Sequence, residues 1–316
     1  MVNSGLWIVA GEESKDMGNY HSPTTIHQSP FIPHPLSHLT AVRAFPNPLP
    51  EAFYDKICKE YEAVTDVIAS RIIYESDGLQ VTGISCLPAK TEPKKHQILI
   101  YNRGGNREYG MLTVLSVMRS MLPFARAGYL VYASNYRGND GGEGVEEFGG
   151  ADVKDVLNLL EIAKQNPNWD GKNVFMLGHS RGGMMTYLSL RRDKTINAAV
   201  SIAGVADIWN SIKDRPELEE KVYKQLIVAD DANREQAYKN RSAVCWAEEI
   251  SAPLLLLHGT ADEAVSIEHS NRLAEKLTSL GKPHELVIYE GGNHALLRYW
   301  DAVITKCLSW FGSYRV

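Results

Sequence analysis

The sequence predicts an α/β fold in which a mostly parallel central sheet is covered by helices on both faces. Short apolar runs alternate with longer runs of helical periodicity through most of the chain. The apolar runs show no polar alternation, which is typical of strands buried on both faces of a parallel sheet. The predicted strands are 97–101, 129–134, 173–177, 198–202, 253–258 and 285–289.

Helices are predicted between or after these strands, at 111–127, 152–165, 183–192, 267–280 and 296–311. A hairpin precedes them, with strands at 71–75 and 79–87 and a turn at Asp77 and Gly78. An earlier helix is predicted because apolar side chains recur at helical spacing, namely Phe53, Ile57, Tyr61, Val64 and Ile68.

Two segments stand outside this alternation. Residues 1–50 include a stretch rich in Pro, His and Ser, which breaks regular structure and predicts an extended or partly disordered N-terminal arm. This arm is either a flap over a functional site or a segment packed on or loose from the surface. Residues 206–250 are charged and helical, and predict a small insertion. The remaining 51–316 fit one domain.

The charge and hydropathy patterns exclude several classes of partner. The net charge is −5 with no basic block, so we expect neither nucleic acid nor an anionic membrane surface as a partner. No apolar run approaches the length of a membrane span. The short apolar run 6–10 lacks the length and the basic flank of a signal peptide, and we therefore expect a cytoplasmic protein.

A nucleophile is indicated at Ser180, within the pentapeptide Gly178-His179-Ser180-Arg181-Gly182. The pentapeptide stands between a predicted strand and a predicted helix. A serine at such a corner is held on a sharp turn with its hydroxyl exposed. The helix N-terminus behind it offers backbone N–H groups to developing negative charge.

An acid and a base follow in the chain at matching positions. Asp262 comes just after strand 253–258, and His294 comes after the last strand, so both are expected at the same sheet edge as Ser180. Glu263 is the competing acid. His284 begins a strand at the opposite edge. The remaining candidates, His179 and His258, are interpreted as packing or hydrogen-bonding residues beside the site.

An oxyanion hole needs two N–H donors. The backbone N–H of Arg181 follows the nucleophile directly, and the loop after strand 97–101 contains Gly104 and Gly105. Adjacent glycines let the main chain approach a substrate closely. We predict Arg181 and Gly105 as the two backbone donors.

Several segments resemble the catalytic domain of the prolyl oligopeptidase family of serine peptidases, a branch of the α/β-hydrolases. The similar segments are Asn135–Gly138, Phe148–Val153, Gly178–Gly183, Leu257–Val265 and Gly292–His294. The resemblance implies the α/β-hydrolase fold and a Ser180, Asp262, His294 triad. The family's N-terminal β-propeller is expected to be absent, because only about 70 residues precede the core. The residue after the nucleophile is also unusual, since this chain has Arg181 where the family often has an aromatic residue.

The expected activity is hydrolysis of an ester, amide or peptide bond of a small substrate through an acyl-enzyme on Ser180, with no metal or organic cofactor. A carboxylesterase without peptidase activity and a non-catalytic receptor of the same fold are the alternatives. Four arginines can approach the site: Arg103, Arg107, Arg137 and Arg181. They either bind an anionic substrate, for which Arg103 and Arg181 are the candidates, or pair with carboxylates. The candidate carboxylates are Asp140, Glu143, Glu146 and Glu147.

Overall fold

The structure is a computed structural model that describes residues 26–30 and 51–316. Residues 1–25 and 31–50 of the predicted arm lie outside the described residues, and so do both alternatives for the arm, a flap over a functional site or a segment packed on or loose from the surface. Within the predicted arm, the segment Ile26–Pro30 is a strand that pairs antiparallel with residues 70–74 at one edge of the sheet.

Nine strands form a single sheet within the described ranges. They are β1 (Ile26–Pro30), β2 (Val67–Ser76), β3 (Leu79–Pro88), β4 (His96–Asn102), β5 (Tyr129–Ser134), β6 (Trp169–His179), β7 (Ala198–Ile202), β8 (Leu254–Gly259) and β9 (His284–Tyr289). The spatial order is β1-β2-β3-β5-β4-β6-β7-β8-β9. Strands β4 to β9 run parallel, and β1, β2 and β3 are antiparallel to their neighbours. The predicted mostly parallel sheet is confirmed.

Helices cover both faces of this sheet, as predicted. They are α1 (Glu51–Glu62), α2 (Val114–Ser116), α3 (Leu122–Arg126), α4 (Asp152–Ala163), α5 (Arg181–Arg192), α6 (Ile208–Asp214), α7 (Lys224–Leu226), α8 (Arg234–Lys239), α9 (Glu268–Ser279) and α10 (Trp300–Ser313). One buried cluster lies under α4, α5 and α9, and a second lies under α3 and α10. Short π-helical turns at Val117–Met121 and Glu219–Tyr223, and 3₁₀ turns at Ala243–Cys245, Ala247–Glu249 and Leu297–Tyr299, complete the helical segments.

Two predicted helices differ from the structure. The first ends at Glu62, and Ile68 lies in β2 with its side chain 55% exposed instead of on a helix face. The second, predicted over 111–127, is divided into α2, a π-helical turn and α3. Pro123 explains the division, because it has no N–H to donate to the Arg119 carbonyl. That carbonyl accepts from Trp300 Nε1 at 3.1 Å instead.

The stretch between β7 and β8 contains α6, α7 and α8 and lies against the core. Val222, Leu226 and Trp246 are buried there, whereas Trp209 is 38% exposed. The Tyr223 ring packs edge-on against Phe148, with 5.4 Å between the ring centres. Val222, Leu226 and Trp246 therefore pack on the core instead of facing water. Of the helices given above, all in the described part of the chain, none has the length and apolarity needed to cross a bilayer.

The carboxyl ends of the parallel strands meet at one edge of the sheet. Asn102 at the end of β4 lies beside Gly178 of β6, and the last residue of β6, His179, lies beside Ile202 of β7. Gly259 of β8 lies beside Tyr289 of β9. The loops that follow these strands are consequently neighbours, although they are far apart in sequence.

Gly182 allows the first turn of α5 to pass close to the end of β4. A Cβ at this position would overlap the carbonyl oxygen of Asn102, and the neighbouring Arg103 oxygen would lie 2.8 Å away. Both contacts are with main-chain atoms, which cannot move aside without shifting the strand. The close approach of helix and strand therefore requires glycine.

We predict that Gly182→Ala lowers the free energy of unfolding by about 1–3 kcal/mol or more, because the added methyl group overlaps the main chain of β4. Urea or thermal unfolding measures the change. Gly312→Ala is the matched control, since no atom lies within 4 Å of a Cβ at this glycine of α10. The control should be neutral or stabilise the protein by up to about 1 kcal/mol. Equal effects of both substitutions would contradict this account of the packing.

Candidate active site

Ser180 lies on a strained turn between β6 and α5. Its backbone has φ +58° and ψ −123°, a conformation that residues with a side chain adopt at a cost. The flanking positions must be small, because a Cβ on Gly178 would overlap the carbonyl of Gly182. The Ser180 N–H donates to the Ile202 carbonyl at 2.9 Å, and the Ser180 carbonyl accepts from Gly183 at 2.9 Å. These contacts hold the turn on both sides of the serine.

Asp262 lies in the loop after β8, and its side chain is fully buried. Its Oδ1 atom accepts from the main-chain N–H groups of Ala264 and Val265, both at 2.9 Å. Its Oδ2 atom accepts from His294 Nδ1 at 2.8 Å. Glu263, the competing acid, is exposed. Of these two acidic residues, the structure brings Asp262 to His294.

His258 is a second hydrogen-bonding partner of Asp262. The imidazole is fully buried, and its Nε2 atom lies 3.2 Å from Asp262 Oδ2 and 2.9 Å from the Val265 carbonyl oxygen. A carbonyl can only accept, so Nε2 carries the proton, and Nδ1 accepts from the Ser270 hydroxyl at 2.7 Å. Burial opposes ionisation of Asp262, but the hydrogen bonds from His258 and His294 outweigh it and hold the pKa of Asp262 well below its ordinary value.

His294 lies in the loop after β9, with 26% of its side chain exposed. Because Asp262 is a carboxylate, His294 Nδ1 is the donor in their hydrogen bond, and Nε2 remains as an acceptor. His294 and Ser180 are both on the wall of the same cavity. Among the described residues, no hydrogen bond joins the Ser180 hydroxyl to His294. Such bonds are often long in enzymes without substrate.

His179 stabilises the loop that contains His294. Its Nε2 atom lies 2.9 Å from the His294 carbonyl oxygen, to which it donates, and the centres of the two rings are 4.8 Å apart. Burial, followed by the nearby His294, lowers the pKa of His179 to about 3. The ring is therefore neutral at physiological pH. This agrees with the interpretation of His179 and His258 as hydrogen-bonding residues beside the site.

The two predicted oxyanion donors lie on the cavity wall next to Ser180. Arg181 is the first residue of α5, and Gly105 lies in the loop after β4 with φ +72°. Gly104 is also close to the serine. A Cβ on Gly104 would lie 3.1 Å from Ser180 Cβ and 3.0 Å from the His179 carbonyl oxygen. The loop after β4 that contains Gly104 and Gly105, called the glycine loop below, and the start of α5 thus both lie beside the serine.

The Arg181 side chain is 2% exposed and lies behind the site. It forms ion pairs with Glu146, at 2.7 Å, and with Asp152, and it donates to the Gly105 carbonyl at 3.1 Å. Its guanidinium also lies over the rings of Tyr136 and Phe148, at 4.9 and 4.6 Å from their centres. Its Nη1 and Nη2 donors are thus engaged within the protein and connect α5 to the glycine loop, whereas its buried Nε makes no hydrogen bond.

The Arg103 side chain is 1% exposed and donates mainly to main-chain carbonyls. Its partners include the carbonyls of Asn135, at 2.7 Å, and Gly104, at 3.1 Å, and Glu146 lies 3.7 Å away. Arg137 pairs with Asp155 at 2.7 Å. The alternative that these arginines pair with carboxylates thus describes the observed contacts, with Asp152 and Asp155 as partners that the sequence did not single out.

Arg107 reaches a different partner. Its Nη2 atom donates to Gln225 Oε1 at 2.7 Å, in the stretch between β7 and β8, and its main-chain N–H donates to Glu146 at 2.9 Å. The glycine loop is therefore connected to the helical stretch as well as to the core.

Two cavities meet at Ser180. The first, of about 610 Å³, has a largely apolar wall that includes Phe148, Val205, Leu218, Val222 and Tyr223. The second, of about 930 Å³, lies between the glycine loop and the segment 113–120. Gly105, Tyr109, Ser180 and His294 belong to both walls. In the part of the chain that the structure describes, no cluster of three His, Cys, Asp or Glu side chains is suited to a metal ion.

Sequence reasoning did not assign several residues of the site. It left Glu146 as one of several possible carboxylate partners, and it gave Arg119 no role. Glu146 is 4% exposed and joins Arg103, Arg181 and the N–H of Arg107. A carboxylate among four arginines was a signal for such a cluster, but the choice of partners depends on loop conformations that the sequence does not show.

Comparison with known proteins places this chain in a family. The sequence pattern of the prolyl oligopeptidase family matches residues 115–314. The uncharacterized peptidase YtmA of Bacillus subtilis (strain 168) is 35% identical over 224 residues, which are 71% of this chain and 84% of YtmA. The uncharacterized peptidase YuxL of the same organism is 30% identical, over 77% of this chain and 37% of YuxL.

The fold is similar to that of a solved peptidase structure. An acylaminoacyl peptidase of Pyrococcus horikoshii has a TM-score of 0.69 and 21% identity, and covers 81% of this chain and 43% of its own. This chain therefore spans most of YtmA but less than half of YuxL and of the Pyrococcus enzyme. The match over residues 115–314 and the likeness to YtmA establish that the chain belongs to the prolyl oligopeptidase family and is a serine hydrolase of the peptidase type.

Proposed function

We propose that this chain hydrolyses an amide, peptide or ester bond of a small substrate through an acyl-enzyme on Ser180, with His294 as the general base and Asp262 as its orienting acid. The observation that carries this proposal is the 2.8 Å hydrogen bond between His294 Nδ1 and Asp262 Oδ2, beside a serine at φ +58° on the same cavity wall. The bond fixes the tautomer in which His294 Nε2 can accept a proton.

The reaction begins when Ser180 Oγ attacks the substrate carbonyl carbon and His294 Nε2 takes the hydroxyl proton. The carbonyl oxygen becomes an oxyanion, for which the N–H groups of Arg181 and Gly105 are the proposed donors. His294 then gives its proton to the leaving amine or alcohol as the C–N or C–O bond breaks. Water, deprotonated by His294, then attacks the acyl-serine. The ester bond to Ser180 Oγ breaks, His294 returns the proton to Oγ, and the acid is released.

The electrostatics around Asp262 support this cycle. Its lowered pKa keeps the carboxylate ionised across the neutral range, so it can stabilise the imidazolium that forms on His294. His179 stays neutral and occupies the His294 carbonyl, which restrains the loop without adding a competing positive charge. The buried Arg181 lies behind the glycine loop and holds it toward the serine through the Gly105 carbonyl.

The substrate class is proposed as short peptides or small esters. The relatives named above are peptidases, and the 610 Å³ cavity beside Ser180 has an apolar wall suited to one side chain or acyl group. We propose that residues 206–250 are an insertion on a hydrolase domain of residues 51–316, and that they roof this cavity through Leu218, Val222 and Tyr223. The contribution of the N-terminal arm, residues 1–50, to the roof is part of the same proposal.

We expect Ser180→Ala to abolish turnover, with kcat lower by on the order of a million-fold, because the nucleophile is removed. Covalent labelling by a fluorophosphonate probe should be lost as well. Ser211→Ala is the matched control: Ser211 is also on the wall of the first cavity, and this variant should still be labelled. Labelling of Ser180→Ala at the parent rate would show that another residue is the nucleophile.

Asp262→Asn should reduce kcat by about 10⁴-fold while substrate still binds, because His294 loses the partner that fixes its tautomer. Steady-state kinetics on p-nitrophenyl butyrate measure the effect. Glu263→Gln changes the adjacent exposed carboxylate and should have a mild effect. The reverse order of the two effects would assign the acid to Glu263.

A roofed cavity should admit small substrates and exclude large ones. We expect p-nitrophenyl esters or N-blocked aminoacyl p-nitroanilides to be hydrolysed, and folded proteins and casein to remain uncut, because their chains cannot enter beneath residues 206–250. Gel electrophoresis of casein after prolonged incubation, with the Ser180→Ala variant as the control for contaminating proteases, measures this. Rapid Ser180-dependent cleavage of casein contradicts the roof, and turnover of esters alone identifies a carboxylesterase.

A further inference from the structure

The second cavity at Ser180 carries several polar side chains on its wall. Thr113, Ser116 and Ser120 lie on one side, in and around the π-helical turn, and His179 and His294 lie on the other. Arg119 is the one Arg, Lys, Asp or Glu side chain on the described wall of this cavity. The cavity thus has a positive charge and several hydrogen-bonding side chains beside the serine.

Arg119 has no acidic partner within the described part of the chain, where no Asp or Glu side chain forms an ion pair with it. Its Nε atom is buried and makes no hydrogen bond. Burial lowers the pKa of Arg119, although the group remains a cation. A partly desolvated guanidinium without a counter-charge is costly unless an anion comes to it.

The orientation of Arg119 is fixed by two contacts. Its Nη2 atom donates to the carbonyl of Ala295, the residue after His294. Its guanidinium stacks on the Trp300 ring at 4.1 Å from the ring centre. The hydrogen bond to Ala295 leaves Nη1 as the donor that is available to a ligand, on a head group whose position is already set.

Arg119 differs in its lack of a carboxylate partner from Arg181 and Arg215, the other arginines on the described walls of the two cavities. Arg181 is paired with Glu146 and Asp152, and Arg103 donates to four main-chain carbonyls. Arg215 at the first cavity pairs with Glu217 at 3.1 Å. Arg119 is therefore the cation whose charge is left for a substrate.

We propose that Arg119 binds a carboxylate on the leaving group of the substrate, so that the preferred leaving group is an amino acid or short peptide with a free carboxyl end. This inference rests on the proposed function. His294 must face the leaving group to protonate it, and Arg119 contacts the residue that follows His294. A carboxylate and a guanidinium form strong charge-assisted hydrogen bonds, and a neutral amide in the same place cannot provide the charge.

A pair of aryl esters tests the proposal, namely 3-acetoxybenzoate and 3-acetoxybenzamide. Their leaving groups differ only in a carboxylate against a neutral amide. The measured quantity is the ratio of kcat/KM for the acid to that for the amide. We expect this ratio to fall by roughly 10- to 100-fold in Arg119→Gln, and by less in Arg119→Lys, which keeps the charge but loses the planar fork.

Arg298→Gln is the matched control. Arg298 is exposed, lies over the Tyr299 ring and is outside both cavity walls, so its loss removes the same charge without changing the ratio. Parallel experiments with N-acetyl-alanyl-alanine and its C-terminal amide extend the test to a peptide bond.

The outcomes separate the possible failures. If Arg119→Gln slows both esters by the same factor, Arg119 only positions the His294 loop and the proposal is overturned. A Ser180-dependent parent enzyme that hydrolyses both esters equally, with no change in the variant, overturns it as well. If neither ester nor N-acetyl-alanyl-alanine is hydrolysed in a Ser180-dependent reaction, the proposed function is overturned, and this inference with it.

Discussion

The site depends on one backbone constraint, the reversal of the chain at Ser180 between β6 and α5. The turn needs a positive φ at a residue that carries a side chain. It brings α5 so close to the end of β4 that Gly182 cannot carry a Cβ, and so close to β6 that Gly178 cannot carry one either. Strain of this kind persists only where the surroundings fix it. Here the surroundings are the paired ends of β4, β6 and β7, so the central sheet supplies the free energy that holds the serine in place.

A buried cluster of charged side chains connects α5 to the glycine loop and restricts the conformation of that loop. Arg181, at the start of α5, pairs with Glu146 and Asp152, and Glu146 also contacts Arg103. Each of these groups is almost fully buried, so each needs its partners to offset the loss of hydration. Removal of one member would leave another charge unpaired in the interior. We interpret the cluster as a means of fixing loop geometry more than as a source of net stability.

The sequence predicted the sheet closely, because buried parallel strands are short, apolar and bounded by turns. The strand predicted at 129–134 begins and ends at the same residues in the structure, and the strand predicted at 97–101 is one residue longer at each end. Ser180, Asp262 and His294 each come after a strand of the parallel sheet. Their closeness in space was predicted because the carboxyl ends of parallel strands lie at the same edge of the sheet.

The remaining features depend on tertiary contacts. The helix expected over 111–127 is interrupted because Pro123 frees a carbonyl for Trp300, a residue 181 positions from Arg119. The contacts of the arginines could not be predicted for the same reason. Arg103 and Arg181 are near the serine in the sequence pattern, but their side chains are buried in the protein. Arg119 carries no motif, and only the folded arrangement of the π-helical turn against the His294 loop reveals it.

The distance along the chain between the serine and the histidine has a consequence for biosynthesis. The contact between His179 and the carbonyl of His294 joins residues 115 positions apart, and β9 must pair with β8 before the histidine loop reaches the serine. A ribosome that has translated only as far as α5 has made the proposed nucleophile without its proposed base. Since a domain folds as a unit, we expect the proposed reactivity toward acyl groups only after β9 and the loop with His294 have been translated, and no such reactivity from shorter chains.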